Sequence, residues 1–363
     1  MKVLVIGNGS TGVDAVSKAS YINNHTGVFV KAIAEVHEVT FSQFTTVYNR
    51  NSNLQNLDLE AHGINYYNLP NKKHPLFLFK LIKLIRSQQF IYIFYPGTLG
   101  TIVGLLASFL KVPYGLYVRG EYFNRNRLDQ HVLNHSKILL TISPAFVPVL
   151  QSFCNNVAVI KPMISITEED LKQDRNFKVS NPIKLLFVGR VEVAKGIYEI
   201  LEIAAFLKSK KIEFILDIVG GGDLYDSISA DLIEKGLEDN VFLHGQIADA
   251  SALKKKYDSA HIFVFPSHHE GFPRVLYEAM TSALPIFTTF VGGISGRMTH
   301  LENCIEIPVK NGAAAAEIVF KYITDFKILE TIGNNGQNTI KHIIDGSVHT
   351  HETLLLNYLK NEK

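Results

Sequence analysis

At ~100–200 residues per domain, a chain of 363 residues argues for two domains. Its 47% hydrophobic and 19% charged residues are a globular composition, which excludes disorder throughout, and a net charge of +2 gives no general signal for a polyanion such as nucleic acid. The two cysteines, Cys154 and Cys304, share no metal or redox spacing, so a disulfide framework is excluded and a reducing cytoplasm is the expected home.

From the N-terminus the chain alternates β-branched runs with helical periodicity. No signal peptide is expected, because the apolar start is interrupted at once by glycines. Strands are predicted at residues 2–6, within 38–44, and at 64–69, 90–95, 114–118 and 138–142, with helices at 76–86 and 101–110. Two uncharged stretches, 90–110 and 138–160, reach the ~20 residues of a membrane span. Pro96, Gly97, Gly100 and Gly104 break the first, and Pro144, Pro148, Gln151, Asn155 and Asn156 the second, so each reads as strand, turn and helix. Residues 161–182 are polar and read as a linker.

The pattern then restarts. Strands are predicted at 183–188, 213–219, 241–244, 260–265 and 285–288, helices at 196–208, 224–235 and 273–282, and consecutive helices over 313–363. Strands separated by helices imply parallel sheets covered on both faces. The expectation is two doubly wound α/β domains, 1–165 and 166–340, with a C-terminal helix in 341–363 returning to the first. Ligands of such sheets bind beyond the carboxyl ends of the strands, here in a cleft between two facing domains. Residues 1–165 hold 15 Lys/Arg against 7 Asp/Glu, and residues 166–363 hold 21 against 27. Either one half faces an anionic partner or two domains simply differ.

Gly7-Asn8-Gly9-Ser10-Thr11-Gly12 matches G-x-G-x-x-G after a strand. A nicotinamide site would need a helix starting there and an acid ~20 residues on, at the end of the second strand. Glu35 and Glu38 lie at or before the start of that strand instead. The other reading is a tight glycine turn that lets a ligand approach the backbone.

A second group follows the strand at 183–188. Arg190, then Lys195-Gly196 opening a helix, would make a diphosphate pocket at a sheet's carboxyl end. A third is His268-His269-Glu270-Gly271-Phe272-Pro273-Arg274-Val275-Leu276-Tyr277-Glu278. Pro273 fits the first helical position, and the amides of that turn suit an anion. Glu270 and Glu278 flank the same helix start.

With these residues in place, the stretch 187–293 resembles the retaining glycosyltransferases of family 4, which have the GT-B fold. The resemblance rests on G-R-x(4)-K-G at Gly189–Gly196, the loop Val219-Gly220-Gly221-Gly222-Asp223, the segment 241–245, E-x7-E from Glu270 to Glu278, and Gly292-Gly293. It implies that Arg190, Lys195 and the backbone at Arg274 and Val275 bind a nucleoside diphosphate, with Phe272 and Pro273 shaping that turn. Glu278 would hold the ribose and Glu270 the transferred sugar. Gly221 and His244 would lie by the base, and Gly12 would let a loop close over the phosphates. Many members carry a histidine near the sugar where this chain reads Tyr117-Val118-Arg119-Gly120-Glu121. Arg119 cannot act as a base at neutral pH, but it can bind a hydroxyl, a phosphate or an acidic acceptor.

No D-x-D occurs, so the metal-clamped diphosphate site of the other large glycosyltransferase fold is not expected. His131 and His135 could share a helix face, but no glutamate between them and no Cys/His cluster supports zinc. The expected activity is metal- and cofactor-independent sugar transfer from a UDP- or GDP-sugar to a saccharide or lipid-linked saccharide, with a GT-B nucleotide-sugar epimerase as the rival. In residues 71–86, Phe77, Leu81, Leu84 and Ile85 share one helix face, while Lys80, Lys83 and Arg86 mark another. That segment reads either as a helix packing on its sheet or as a contact with an anionic membrane's inner face.

Overall fold

The computed structural model describes residues 1–48, 55–70, 72–120, 126–162, 164, 166–178, 180–346 and 349–361. Asn71 and Glu121, quoted above, lie outside them. The chain divides into two units, Met1–Ile164 with His349–Lys363, and Ser165–Val348.

Unit 1 runs β1 (Lys2–Val13), β2 (Ser20–Ile22), α1 (Asn24–Ala34), β3 (Glu38–Val47), β4 (Leu57–Asp58), β5 (Asn65–Tyr66), α2 (Phe77–Arg86) and β6 (Phe90–Tyr95). It continues with α3 (Thr98–Phe109), β7 (Tyr114–Val118), α4 (Arg127–Asn134), β8 (Ile138–Thr141), α5 (Val147–Gln151) and β9 (Val157–Val159). The parallel strands lie in the order β5-β3-β1-β6-β7-β8-β9, with β2 and β4 added antiparallel beside β1. Every residue of β6 and β7 is buried, as a sheet covered on both faces requires. The period of two splits β6 cleanly. Ile91, Ile93 and Tyr95 join one core with α2 and α3, and Phe90, Tyr92 and Phe94 join the other with α1.

Unit 2 runs β10 (Ile183–Val188), α6 (Ile197–Ser209), β11 (Phe214–Val219), α7 (Tyr225–Glu234), β12 (Val241–Leu243) and α8 (Ala250–Ser259). Then come β13 (Ile262–Phe265), α9 (Arg274–Thr281), β14 (Ile286–Thr288), β15 (Ile305–Glu306), α10 (Gly312–Tyr322) and α11 (Phe326–Ile344). Its strands are parallel in the order β12-β11-β10-β13-β14-β15. The order reverses between β10 and β13, which is where a doubly wound sheet opens a crevice for a ligand. The last helix, α12 (His351–Asn361), buries Leu355 and Leu359 in the core of unit 1. Because α11 is unbroken through Ile344, residues 341–344 stay with unit 2.

Three expectations are corrected. The glycine run is no turn into a helix: β1 shifts register between Ile6 and Ser10, then stays paired through Val13, and the next helix begins only at Asn24. The β-forming residues Thr11 and Val13 keep the chain extended. Gly12 therefore lies in a strand, where a Cβ would stand 2.2 Å from Gln55 Oε1. With no helix start behind the glycines, the nicotinamide reading loses its pyrophosphate site. Second, the linker read at 161–182 is tied to the body of unit 2 at several of its described residues. The Lys172 amide donates to the Thr281 carbonyl, and the half-buried Arg175 guanidinium donates to the carbonyls of Ser282 and Ala260. Third, the membrane alternative for residues 71–86 narrows. The Phe77, Leu81, Leu84 and Ile85 face of α2 packs in the core, as the other reading expected, each side chain contributing ~1.5–3 kcal/mol on burial, so only the outward side of the helix is open to a membrane. What α2 turns outward is Leu78 and Phe79, 51% and 68% exposed, with Lys80, Lys83 and Arg86.

Candidate active site

Two loops meet at the switch point of unit 2. One leaves β10 and carries Arg190, then makes a 3-10 turn over Val193–Lys195. Gly196 ends that turn at φ 74°, and a Cβ there would stand 2.1 Å from the Pro266 carbonyl oxygen, so only glycine lets the loops touch. The other loop leaves β13. Its Ser267 is fully buried, and the His268 amide donates to the Ala194 carbonyl at 3.0 Å.

At this junction Lys195 Nζ donates to Glu270 Oε1, which also accepts from Ser267 Oγ at 2.9 Å. The two charged side chains are only 17% and 11% exposed. Sequence reasoning gave Lys195 to a phosphate and Glu270 to a sugar, and the structure brings them together as one ion pair. Arg190 is 70% exposed and pairs with Glu192 at 2.9 Å. Behind them His268 Nε2 lies 2.8 Å from Glu199 Oε1, a nearly buried pair that ties the second loop to α6.

The helix after these loops, α9, begins at Arg274, so Pro273 is its extended N-cap (φ −74°, ψ 134°) and not its first helical residue. Among the described residues no side chain caps that start, and its first turn carries no acid. This leaves the positive end of the helix dipole without a neutralising partner of its own. One turn further on, Glu278 Oε2 accepts from Tyr257 at 2.8 Å. Burial raises the Glu278 carboxyl above its usual range, with the Tyr257 hydroxyl and Arg274 pulling the other way. Phe272 is buried and stacks on Tyr277 at 4.5 Å, so it supports the turn from beneath.

The remaining residues are more dispersed. Gly221, after β11, gives its carbonyl to the Val191 amide at 2.9 Å. His244, after β12, lies 2.5 Å from Asp217 and 3.0 Å from Lys256, so its ring is engaged within the domain. In unit 1 the Arg119 guanidinium stands 5.7 Å over Phe94 and 5.8 Å over Tyr117 and donates to Asn8 Oδ1. His131 and His135 stack at 4.0 Å, with His131 Nε2 on Ser108 and His135 Nδ1 on the His131 carbonyl. Among the described residues no group of three or more His, Cys, Asp or Glu is placed to hold a metal. Sequence reasoning missed Ser267, Glu199 and Tyr257. Glu199 and Tyr257 meet partners 69 and 21 residues away, which no local spacing announces.

Residues 168–339, most of unit 2, match the family model described as Glycosyl transferases group 1. The chain is 31% identical over 157 residues to the capsular polysaccharide biosynthesis glycosyltransferase CapM of Staphylococcus aureus, covering 43% of this chain and 40% of that one. It is 30% identical over 243 residues to the putative teichuronic acid biosynthesis glycosyltransferase TuaC of Bacillus subtilis (strain 168), covering 61% and 58%. Each match spans less than two thirds of the relative's length. The crystal structure of Anabaena Alr3699/HepE in complex with UDP superimposes with a TM-score of 0.70 at 16% identity, over 99% of both chains. That likeness is one of fold, and the fold is GT-B.

Proposed function

We propose that this protein is a retaining family 4 glycosyltransferase that moves a sugar from a UDP- or GDP-sugar to a hydroxyl of a surface-polysaccharide intermediate. The observation that carries the reading is the Lys195–Glu270–Ser267 cluster at the switch point, directly before the uncapped start of α9. A nucleoside diphosphate leaving group needs positive charge, and Lys195, Arg190 and the Arg274–Val275 turn supply it without calling for a metal. The sugar C1–O bond to the phosphate breaks, the acceptor oxygen bonds to C1 on the same face, and its proton passes to a phosphate oxygen. Glu270 offsets the charge developing on the sugar. Glu278 receives the ribose hydroxyls, and Arg119 receives a hydroxyl or acidic group of the substrates.

The names of the matched relatives, concerned with capsular polysaccharide and teichuronic acid synthesis, support an acceptor of that class. We place the enzyme at the cytoplasmic face of the membrane, with Leu78, Phe79 and the neighbouring lysines of α2 toward anionic lipid. Among the described residues no helix is long and apolar enough to cross a membrane. The test is a melting panel with UDP, GDP and ADP. A nucleotide at ~100 times its Kd adds about 2.7 kcal/mol of stability, a clear rise in Tm. Incubation of the stabilising nucleotide's sugar with a polysaccharide intermediate should then release free nucleoside diphosphate and give a product of unchanged anomeric configuration. No shift with any nucleotide ends the reading, release without an acceptor points to hydrolysis, and conversion to a second nucleotide-sugar without release points to epimerisation.

A further inference from the structure

Unit 1 contains a cavity of about 380 Å³ that none of the residues discussed so far explains. It falls within the ~300–1,000 Å³ of small-molecule sites. Phe44 and Thr45 near the end of β3, Leu69 and Lys72 on the approach to α2, and the first turns of α2 (Phe77) and α3 (Leu99) line it. It therefore lies toward the carboxyl end of the sheet, beside the last residues of β3 and beyond the ends of β5 and β6, the side on which a doubly wound sheet takes its ligand.

Its chemistry is two-sided. Leu69, Phe77 and Leu99 are buried members of the core, and Phe44 stands half-exposed among the lining residues. The Thr45 hydroxyl is engaged by Tyr66 at 2.6 Å and Asn68 at 2.8 Å. No acid is among the described lining residues, and the exposed Lys72 has no carboxylate partner among the described residues. Lys73 follows it, and residues 1–165 carry an excess of eight positive charges. A bare saccharide would leave hydroxyls unpaired against four apolar side chains. A purely apolar ligand would make no use of the lysine.

We infer that this cavity binds an apolar chain ending in a phosphate, the chain against Leu69, Phe77 and Leu99 and the phosphate at Lys72. The inference rests on the glycosyltransferase reading for its place in the reaction, where it makes the acceptor a saccharide carried on a phosphate-bearing lipid. The same stretch of chain carries more of this chemistry on its surface, since Leu76, Leu78, Phe79, Lys72, Lys73 and Lys80 are all exposed.

The experiment is calorimetric titration of the full chain with geranyl phosphate, geraniol and inorganic phosphate, with UDP titrated into the same preparation. Geranyl phosphate should bind at least about tenfold tighter than either fragment, since only it makes both the apolar and the charge-assisted contacts. Lys72→Glu should weaken geranyl phosphate about tenfold and leave geraniol unchanged, as a lost charge contact requires. Phe44→Ala should weaken both. Both side chains reach solvent, and an unchanged Tm confirms that the variants are folded. Phosphatidylglycerol vesicles form a last arm. Competition with geranyl phosphate places the phosphate on a membrane lipid, and its absence places it on a separate carrier. Geranyl phosphate binding no tighter than inorganic phosphate, or equally to both variants, overturns the inference. If UDP still binds in that case, the glycosyltransferase reading stands without it; geranyl phosphate binding without any nucleotide binding has the opposite meaning.

Discussion

Replacing Glu270 with Gln keeps the side chain's shape and removes the charge that holds Lys195. Turnover should fall by ~100-fold or more, the usual scale when a charge facing a transition state is lost. Affinity for UDP should hold or tighten, by up to about tenfold, because Lys195 then has its charge available for phosphate. Steady-state kinetics with UDP titrations separate the two effects, and normal turnover removes Glu270 from the mechanism. The converse change is less clean, since Lys195→Ala leaves Glu270 buried without its cation and risks the fold. Arg190 is the better probe of the phosphate: it is exposed, its bond to Glu192 is worth little, and Arg190→Ala should weaken UDP about tenfold while leaving uridine unchanged. Equal losses for UDP and uridine would show that Arg190 shapes the loop instead. The sequence named these three residues through spacing and type. It did not reveal that Lys195 and Glu270 are partners, because a contact across 75 residues is made by two loops that only the sheet order brings together.

The elements that were legible are those whose residues are buried throughout. The runs 90–95 and 114–118 become β6 and β7 at the predicted limits, because apolar runs this short and this rich in aromatic and β-branched residues fit a strand covered on both faces better than a helix. The face of α2 was legible from its period, and its burial gives the apolar side to the sheet while leaving the outward side of the helix to the membrane proposal. The glycine run was misread for a physical reason. Glycines permit a turn but do not require one, and Gly12 serves the close approach of Gln55. Gly196 is the opposite case, since both its backbone angle and the Pro266 carbonyl exclude a side chain. Gly196→Ala should cost several kcal/mol, above the ~1 kcal/mol of a simple left-handed penalty, because the two loops must also separate. UDP binding should be lost with it. Urea melts of the variant check this, and a loss under about 1 kcal/mol would mean that the loops do not touch as described.

At the scale of the whole chain, α12 follows unit 2 in sequence yet forms part of unit 1, and His351 is its anchor. The ring is fully buried, stacks on Phe29 at 4.1 Å, lies beside Phe94 and Tyr117, and has Nε2 2.6 Å from the Tyr92 hydroxyl. Burial keeps Tyr92 protonated, so its hydroxyl donates to Nε2, and Nδ1 has no hydrogen-bond partner among the described residues. Burial first, and the charge of Arg119 second, push the imidazole down to about 3 from its ordinary 6.5. Above about pH 6.5 the ring is neutral in both the folded and the unfolded chain and adds no pH dependence. As the pH falls from 6.5 toward 3, the unfolded chain takes up a proton that the folded chain refuses. Stability should therefore drop with acid, approaching about 1.4 kcal/mol per pH unit at the steepest. His351→Gln lacks the titrating ring and should lose less stability between pH 7.5 and pH 5 than the wild type, whatever its stability at pH 7.5. Carboxylates elsewhere titrate alike in both proteins and cancel in that difference. Parallel pH dependences in urea melts would mean that the ring takes up its proton in the folded chain, and that α12 is not held through a neutral His351.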